Sequence, residues 1–407
     1  MKIVKRLFWM LLLTFAATSV FAEEAAKADA PGAEKTEKKD DKKFEINARI
    51  QARAVMGQSS SGYSGGKSFD TADFDFRRLR LTAKYEAAPW AGGVLDIKGE
   101  NLIKLSTSAK PLTSIGAIQE ANIWFKPGFA GSVIKFGQFK IPFLREQLTS
   151  SADLMVNERA YSEKALQQMD IGLLLQLKPL EILGDDWTNK LDVSFALTNG
   201  DGSGHDGIGS KFGEFIPTNT SIAKLFNWRV QINPFGGIVK DGKDHGWKDG
   251  MEVFEGNKIL WSVGAAGAHT SSAETGLFSA GKAYNGYTFD TTLFAYGVYV
   301  NGEYTMFDSA SYSTWQGTLG YNINLGSFSV MPLVRYNYLA MDSDGNGTVD
   351  PGEKSASIWI GADLFAIKHD LKFQIFYNIV NSGDASKNPL NKDVLYFQVQ
   401  TNIGKKV

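Results

Sequence analysis

From Phe44 onward the chain alternates apolar and polar residues with a period of two, the spacing of strands rather than helices. Ile46, Ala48, Ile50 and Ala52 oppose Asn47, Arg49, Gln51 and Arg53. Leu191, Val193, Phe195 and Leu197 oppose Asp192, Ser194 and Thr198. Leu395, Phe397, Val399 and Ile403 oppose Tyr396, Gln398, Gln400 and Asn402. Such runs recur about sixteen times, the even number expected of an outer-membrane barrel. Among them are runs at 290–300 and 303–309, joined by Asn301-Gly302, a dipeptide that favours a two-residue hairpin. Every second connection is short: Ala87-Ala88-Pro89, Lys126-Pro127-Gly128, Asn301-Gly302, Leu325-Gly326 and Lys368-His369. Most of the others are long and rich in Gly, Ser and Asp. Short turns on one side and long loops on the other are what a chain threaded through a membrane requires. The pattern predicts an all-β protein, a transmembrane antiparallel β-barrel. One connection, Asn233 to Asn257, is long on the short side, either as a genuine long turn or because it holds a further hairpin.

The N-terminus agrees with export. Lys2, Lys5 and Arg6 precede an apolar stretch from Leu7 to Val20, and Val20-Phe21-Ala22 offers a small-residue cleavage site. Residues 1–22 are read as a signal peptide and residues 23–43, built from Ala, Glu, Lys and Asp, as a disordered charged periplasmic tail. The barrel is assigned 44–407. No later apolar run has the length of a membrane-spanning helix. The absence of cysteine excludes disulfides and thiolate metal sites, and a net charge of −1 argues against nucleic acid as a partner. Tyr85, Trp90, Phe125, Phe129, Trp228 and Phe235 lie near predicted periplasmic strand ends, where an aromatic girdle meets the outer-membrane lipid headgroups.

Several segments carry a more specific signal: DFRRLRLTAKY at 75–85, EANIWFK at 120–126, FGQFKIPFLREQLT at 136–149, NERA at 157–160 and MDIG at 169–172. This series resembles the phosphate-selective porin O and P family, most specifically over about 74–200. The resemblance implies a sixteen-stranded channel in the bacterial outer membrane, often a homotrimer, narrowed by an inward-folded constriction loop.

Charge facing lipid at mid-membrane costs about 2–4 kcal/mol, so the polar strand faces are assigned to the pore. The inward basic set is then Arg49, Arg53, Arg78, Arg80, Lys84, Lys98, Arg229 and Arg335, against Asp96, Glu100 and Glu120. Basic groups in a narrow low-dielectric pore attract small inorganic or organic anions. The constriction segment, 141–168, carries Arg145, Arg159 and Lys164 against Glu146, Asp153, Glu158 and Glu163, a balance that leaves an unselective pore open. Arg78 and Arg80, two apart on one face, either meet the solute or form salt bridges to Asp96, Glu100 or Glu120.

A second motif lies between two strands. Asp342-Ser-Asp-Gly-Asn-Gly-Thr-Val-Asp-Pro-Gly-Glu353 matches the twelve-residue EF-hand loop at each ligand position. Asp342, Asp344, Asn346, Thr348, Asp350 and Glu353 would offer hard oxygens to a structural Ca²⁺ in a surface loop, without the helices that normally flank it. Two other functions compete with a porin. Catalysis lacks support, because His205, His245, His269 and His369 are scattered with no local nucleophile. A calcium-stabilised structural or adhesin-type barrel without an open pore would share the fold and differ only in how 141–168 packs.

Overall fold

The computed structural model describes residues 42–57, 71–100, 118–164, 168–199, 225–236, 239–240, 243–244, 259–270, 284–308, 311–342, 348–350, 353–382 and 393–406. The expected signal peptide and all but the last two residues of the charged tail lie outside the described residues.

Sixteen antiparallel strands follow one another round a closed barrel. They are β1 (Lys43–Gly57), β2 (Thr71–Ala88), β3 (Ala91–Lys98), β4 (Ile118–Phe125), β5 (Val133–Lys140), β6 (Met169–Leu177), β7 (Leu191–Thr198) and β8 (Leu225–Ile232) in the first half. The second half is β9 (Ile259–Thr270), β10 (Tyr284–Ala295), β11 (Val298–Phe307), β12 (Ser313–Tyr321, continued by Ile323–Asn324), β13 (Ser329–Ala340), β14 (Lys354–Ile367), β15 (Leu371–Ser382) and β16 (Val394–Lys406). Closure comes from β1 pairing with β16, from Glu45 opposite Lys406 to Gly57 opposite Val394. A closed barrel leaves no sheet edge unpaired in the hydrocarbon, which is why strands of this polarity can cross a membrane.

Alternation sets the two faces. Phe136, Phe195, Leu319, Ile360 and Val399 are exposed on the outside, and their chain neighbours turn inward. Tyr85, Trp90, Phe125, Phe129 and Phe235 are exposed at the short-turn rim, with Trp90 stacked on Phe125 at 6.4 Å. Trp228 instead lies mid-strand, its ring seated over Gly267.

One local expectation needs correction, and one left open is decided. The β10–β11 turn is Tyr296-Gly297, where both residues take positive φ (48° and 83°), the backbone of a type I′ hairpin. Asn301 and Gly302 sit inside β11, opposite Thr292 and Thr291. Asn301 faces the lumen, where its amide donates to Thr292 Oγ1 at 2.7 Å. Pairing along the two strands outweighed the turn preference of the dipeptide. The long connection after β8 is a genuine periplasmic one, because β8 and β9 pair directly from Ile232 opposite Val263. Its described part holds a two-residue ribbon, Val239–Lys240 against Lys243–Asp244, outside the barrel sheet.

Candidate functional site: the lumen and its inward loop

The connection from β5 to β6 folds into the barrel. Its residues from Ile141 to Leu148 are all buried, including a four-residue helix α1 (Arg145–Leu148). Leu144 provides no side-chain cap for α1. Glu303 of β11 does so from across the lumen, its Oε2 accepting from the amides of Arg145 (2.8 Å) and Glu146 (3.3 Å). The other oxygen of Glu303 accepts from Ser162 Oγ at 2.7 Å, so one wall carboxylate ties together the two limbs of the loop.

Buried ion pairs add further anchors. Arg229 of β8 donates to Asp290 Oδ1 on β10 at 2.9 Å and pairs with its Oδ2 at 2.7 Å, and Arg145 approaches the same carboxylate at 3.5 Å. Arg229 also donates to Phe143 O at 3.0 Å, and Arg145 to Ser262 Oγ at 3.0 Å. Gly264 lies directly beneath: a Cβ there would stand 2.3 Å from Arg229 Nη2 and 2.7 Å from Asp290, so only glycine leaves room for the pair. Arg335 of β13 pairs with Glu146 and donates to Glu158 O at 2.9 Å. Glu146 in turn accepts from the Ala160 amide at 2.6 Å.

The far limb is held by β1 and β2. Glu158 receives Arg53 at 2.6 Å and Arg77, with Arg78 at 3.9 Å. Burial alone would raise the Glu158 carboxyl, but the hydrogen bond from Arg77 and the charges of Arg77, Arg78 and Arg53 outweigh it and hold it at about 2. Arg77 is a residue that strict alternation places on the lipid side. A bulge between Gln51 and Ala52 leaves it without a register partner on β1 and turns it inward with Arg78. The signal was present: two consecutive arginines in a membrane strand cannot both face the lumen without a bulge. The sequence does not single out Asp290 and Glu303, because each stands alone among polar neighbours on its strand and its partners lie from 61 to 158 residues away.

Most of the sequence-predicted cations are engaged with loop or wall acceptors. Arg53, Arg78, Arg229 and Arg335 are engaged with loop or wall acceptors, Arg53 also with Asp75 at 2.9 Å and Arg78 with Gln51 Oε1 at 2.8 Å. Arg49, Arg80, Lys84 and Lys98 are half-buried. Arg49 donates to Ser151 Oγ and Ser150 Oγ at 2.7 and 3.0 Å, Arg80 bridges to Glu100 at 2.8 Å, and Lys84 to Glu86 at 3.0 Å. Arg159 is a strut inside the loop, donating to Glu146 O (2.7 Å) and Thr149 O (3.0 Å), while buried Asp153 lies within electrostatic reach of Arg49. The side chains of Glu163 and Lys164 lie outside the described residues.

Of the calcium motif, Asp344 and Asn346 lie outside the described residues. Its ends are drawn together: the Met341 amide donates to Glu353 O at 3.4 Å, and the Asp350 amide to Glu353 Oε2 at 3.0 Å. Among the described residues no three His, Asp or Glu side chains converge as metal ligands.

Comparison with known proteins agrees with this architecture. No curated relative matches by sequence. OmpF of Salmonella typhi, solved with daunomycin, superposes with a TM-score of 0.54 at 10% identity over 89% of this chain and 98% of that one. An anion-selective porin from Comamonas acidovorans gives 0.53 at 10% identity, over 89% and 100%. OmpT of Vibrio cholerae, in its trimer form, gives 0.52 at 7% identity, over 89% and 100%. Residues 44–199, which carry β1 to β7 and the inward loop, match the family of the Phosphate-selective porin O and P. Over these residues the chain is similar to that family, and this match together with the closed sixteen-strand barrel supports a porin of the bacterial outer membrane.

Proposed function

We propose that this porin passes small anions by passive diffusion in preference to cations, as a homotrimer and without catalysis. The supporting observation is a row of three cations across adjacent strands: Arg49 on β1 is the direct partner of Arg80 on β2, which is the direct partner of Lys98 on β3. Such partners hold their Cβ atoms about 5 Å apart, and like charges at that spacing destabilise a sheet. Glu100 offsets part of the repulsion through Arg80. The charges of Arg49, Arg80 and Arg159 also act on one another, so the loop adds a cation to the row. Asp96 and Glu120 are cross-strand partners on the next inward row, which keeps the preference moderate rather than absolute. The OmpT relative in its trimer form supports the homotrimer.

The test is conductance in a planar bilayer. Discrete steps, grouped in threes, and a reversal potential of anion sign across a KCl gradient are expected. Arg49→Gln with Lys98→Gln should lower the chloride-to-potassium permeability ratio about threefold or more. Steps without anion bias would leave the channel and discard the preference. No steps from a folded barrel would favour the structural or adhesin-type alternative.

The loop from Asp342 to Glu353 is proposed to hold one Ca²⁺, with Asp342, Asp344, Asn346, Asp350 and Glu353 giving side-chain oxygens and Thr348 its carbonyl. The ends that the Met341 and Asp350 amides close fit this role, as does an all-oxygen donor set. Calorimetric titration should give one site with Kd about 10⁻⁴–10⁻³ M, abolished in Glu353→Gln. Protection of the loop from protease should rise with Ca²⁺ while the barrel's melting stays unchanged. No heat at millimolar Ca²⁺ would sink the site.

A further inference from the structure

We infer that a groove on the outer face of β8–β12 seats one acyl chain of an inner-leaflet phospholipid. The site lies on the lipid side of the wall, apart from the pore and its selectivity. One outward row crosses five strands as direct partners: Ile232, Val263, Thr291, Gly302 and Gly317. On the extracellular side of this row stand Phe289, Tyr304 and Trp315, partners in turn and all exposed. An apolar groove of about 530 Å³ runs from Ile232 to Gly302 beneath these rings. That volume falls within the roughly 300–1,000 Å³ of ligand clefts. Tyr336, the partner of Gly317 on β13, packs on Trp315 at 4.7 Å and bounds the far end. The one hydroxyl in the row is turned to the protein: Thr291 Oγ1 accepts from Trp261 Nε1 at 3.0 Å and donates to Ser262 O at 3.2 Å. The floor therefore presents hydrocarbon without an unmet polar group.

Glycine weakens a strand interior and marks a bulge, a bend or the close approach of another group. Gly302 and Gly317 lie in unbroken register, and neither has positive φ. The chain itself does not press on them: a Cβ on Gly317 would meet nothing within 4 Å, and one on Gly302 nothing nearer than 3.8 Å. Gly264, Gly267, Gly286 and Gly361, by contrast, each lie under atoms that a Cβ would approach within 2.3 Å. What approaches the inner end of the groove therefore comes from outside the chain, on the side that meets lipid. The slope of the row decides which hydrocarbon reaches it. Ile232 is the last residue of β8, at the short-turn rim, whereas Gly302 and Gly317 are each the fifth residue of their strands, halfway up the wall. Four strand spacings of about 4.8 Å make the row about 19 Å long. It thus climbs obliquely through one leaflet, about 15 Å of hydrocarbon. An acyl chain entering at Ile232 follows it with its terminal methyl at the glycines. Tyr296 and Tyr321 at the periplasmic end of this sector, and Tyr287 and Tyr338 toward the other, are interfacial aromatics that set it against lipid rather than a second copy of the chain.

Photo-crosslinking from the lipid tests this. The folded full-length barrel is placed in vesicles of phosphatidylethanolamine and phosphatidylglycerol that carry a trace of phosphatidylethanolamine with a diazirine in one acyl chain. The diazirine sits either next to the carboxyl carbon or at the terminal methyl, and adducts are mapped by peptide mass. The terminal probe should label the stretches around Gly302 and Gly317 about fivefold or more above Ile360 and Val399, outward residues of other strands, as a site with that preference over bulk lipid requires. The carboxyl-end probe should label Ile232 and Val263 instead. Gly302→Leu with Gly317→Leu should abolish the excess, and should also remove the rise in melting temperature that phosphatidylethanolamine gives the detergent-solubilised barrel. Gly317→Ala, whose Cβ meets nothing in the wall, should weaken both partially and serves if the leucine pair does not assemble. Even labelling around the barrel would overturn the site. The reverse order of the two probes would overturn the inner-leaflet assignment. A groove free of lipid adducts but crosslinked to another protomer would replace the phospholipid with a second copy.

Discussion

Asp290→Ala is expected to loosen the channel more than any other single substitution in the lumen wall. The change removes the carboxylate that neutralises Arg229 and faces Arg145, all three side chains having at most 1% exposure. Removing one partner of a buried ion pair strands the other, at a cost of about 3–5 kcal/mol. Here the loss falls where the loop meets β8, β9 and β10. Arg229 would retain Phe143 O and Gln231 Oε1 as acceptors, and Arg145 Ser262 Oγ, but neither would keep a counter-ion at this point. The barrel ladder is untouched, so the protein should still insert and migrate as a folded barrel. Its unfolding midpoint in urea should fall, and single-channel current should become larger and noisier as the first limb of the loop detaches. Asp290→Asn should lie between the two, since an amide oxygen still accepts from one guanidinium. An alanine variant with unchanged midpoint and quiet current would show that the pair does not hold the loop.

How much of this could be read in the sequence follows from what is local and what is not. Alternation in Ile46–Arg53, Leu191–Thr198 and Leu395–Asn402 is legible because lipid tolerates no charge at mid-membrane, so parity alone assigns the faces. The strand number and closure follow from it. What failed is local geometry that breaks parity or competes with pairing. Arg77 turns inward because of one bulge, and Asn301-Gly302 is paired through the middle of a strand despite its turn preference. The roles of the cations were not legible either. Arg49, Arg229 and Arg335 have the same residue type and facing as Arg80, yet the first three donate to the loop and Arg80 pairs with Glu100. That distinction depends on where residues 141–160 dock, a set of contacts across 81 residues of chain or more. Gly264 is a local clue to the docking, as is Gly286: each is a glycine on the inward face of a strand, where a side chain would be expected unless something approaches closely.

The far limb of the loop should respond to acid in a way that identifies Glu158. Its carboxyl is held at about 2 by the hydrogen bond and charges of Arg77, with Arg78 and Arg53, against the effect of burial. An unfolded glutamate titrates near 4.3. A depressed folded value means that the group contributes its full stabilisation above about pH 4.3, and that the contribution is lost as pH falls from there toward about 2. Glu158→Gln removes the charge at every pH and leaves Arg77 and Arg78 facing one another without it. The substitution should cost about 2–4 kcal/mol at pH 7 and produce flickering current as residues 150–160 gain motion. The difference between the native protein and the variant should stay constant from pH 7 to about 4.3, shrink below that, and vanish near pH 2. Glu181→Gln, in the exposed turn between β6 and β7, serves as the control and should change neither current nor melting. A difference that instead disappears between pH 7 and 5 would mean that Glu158 is not the charged pin, and that the limb is held by the backbone bonds of Leu154 and Ala152 alone.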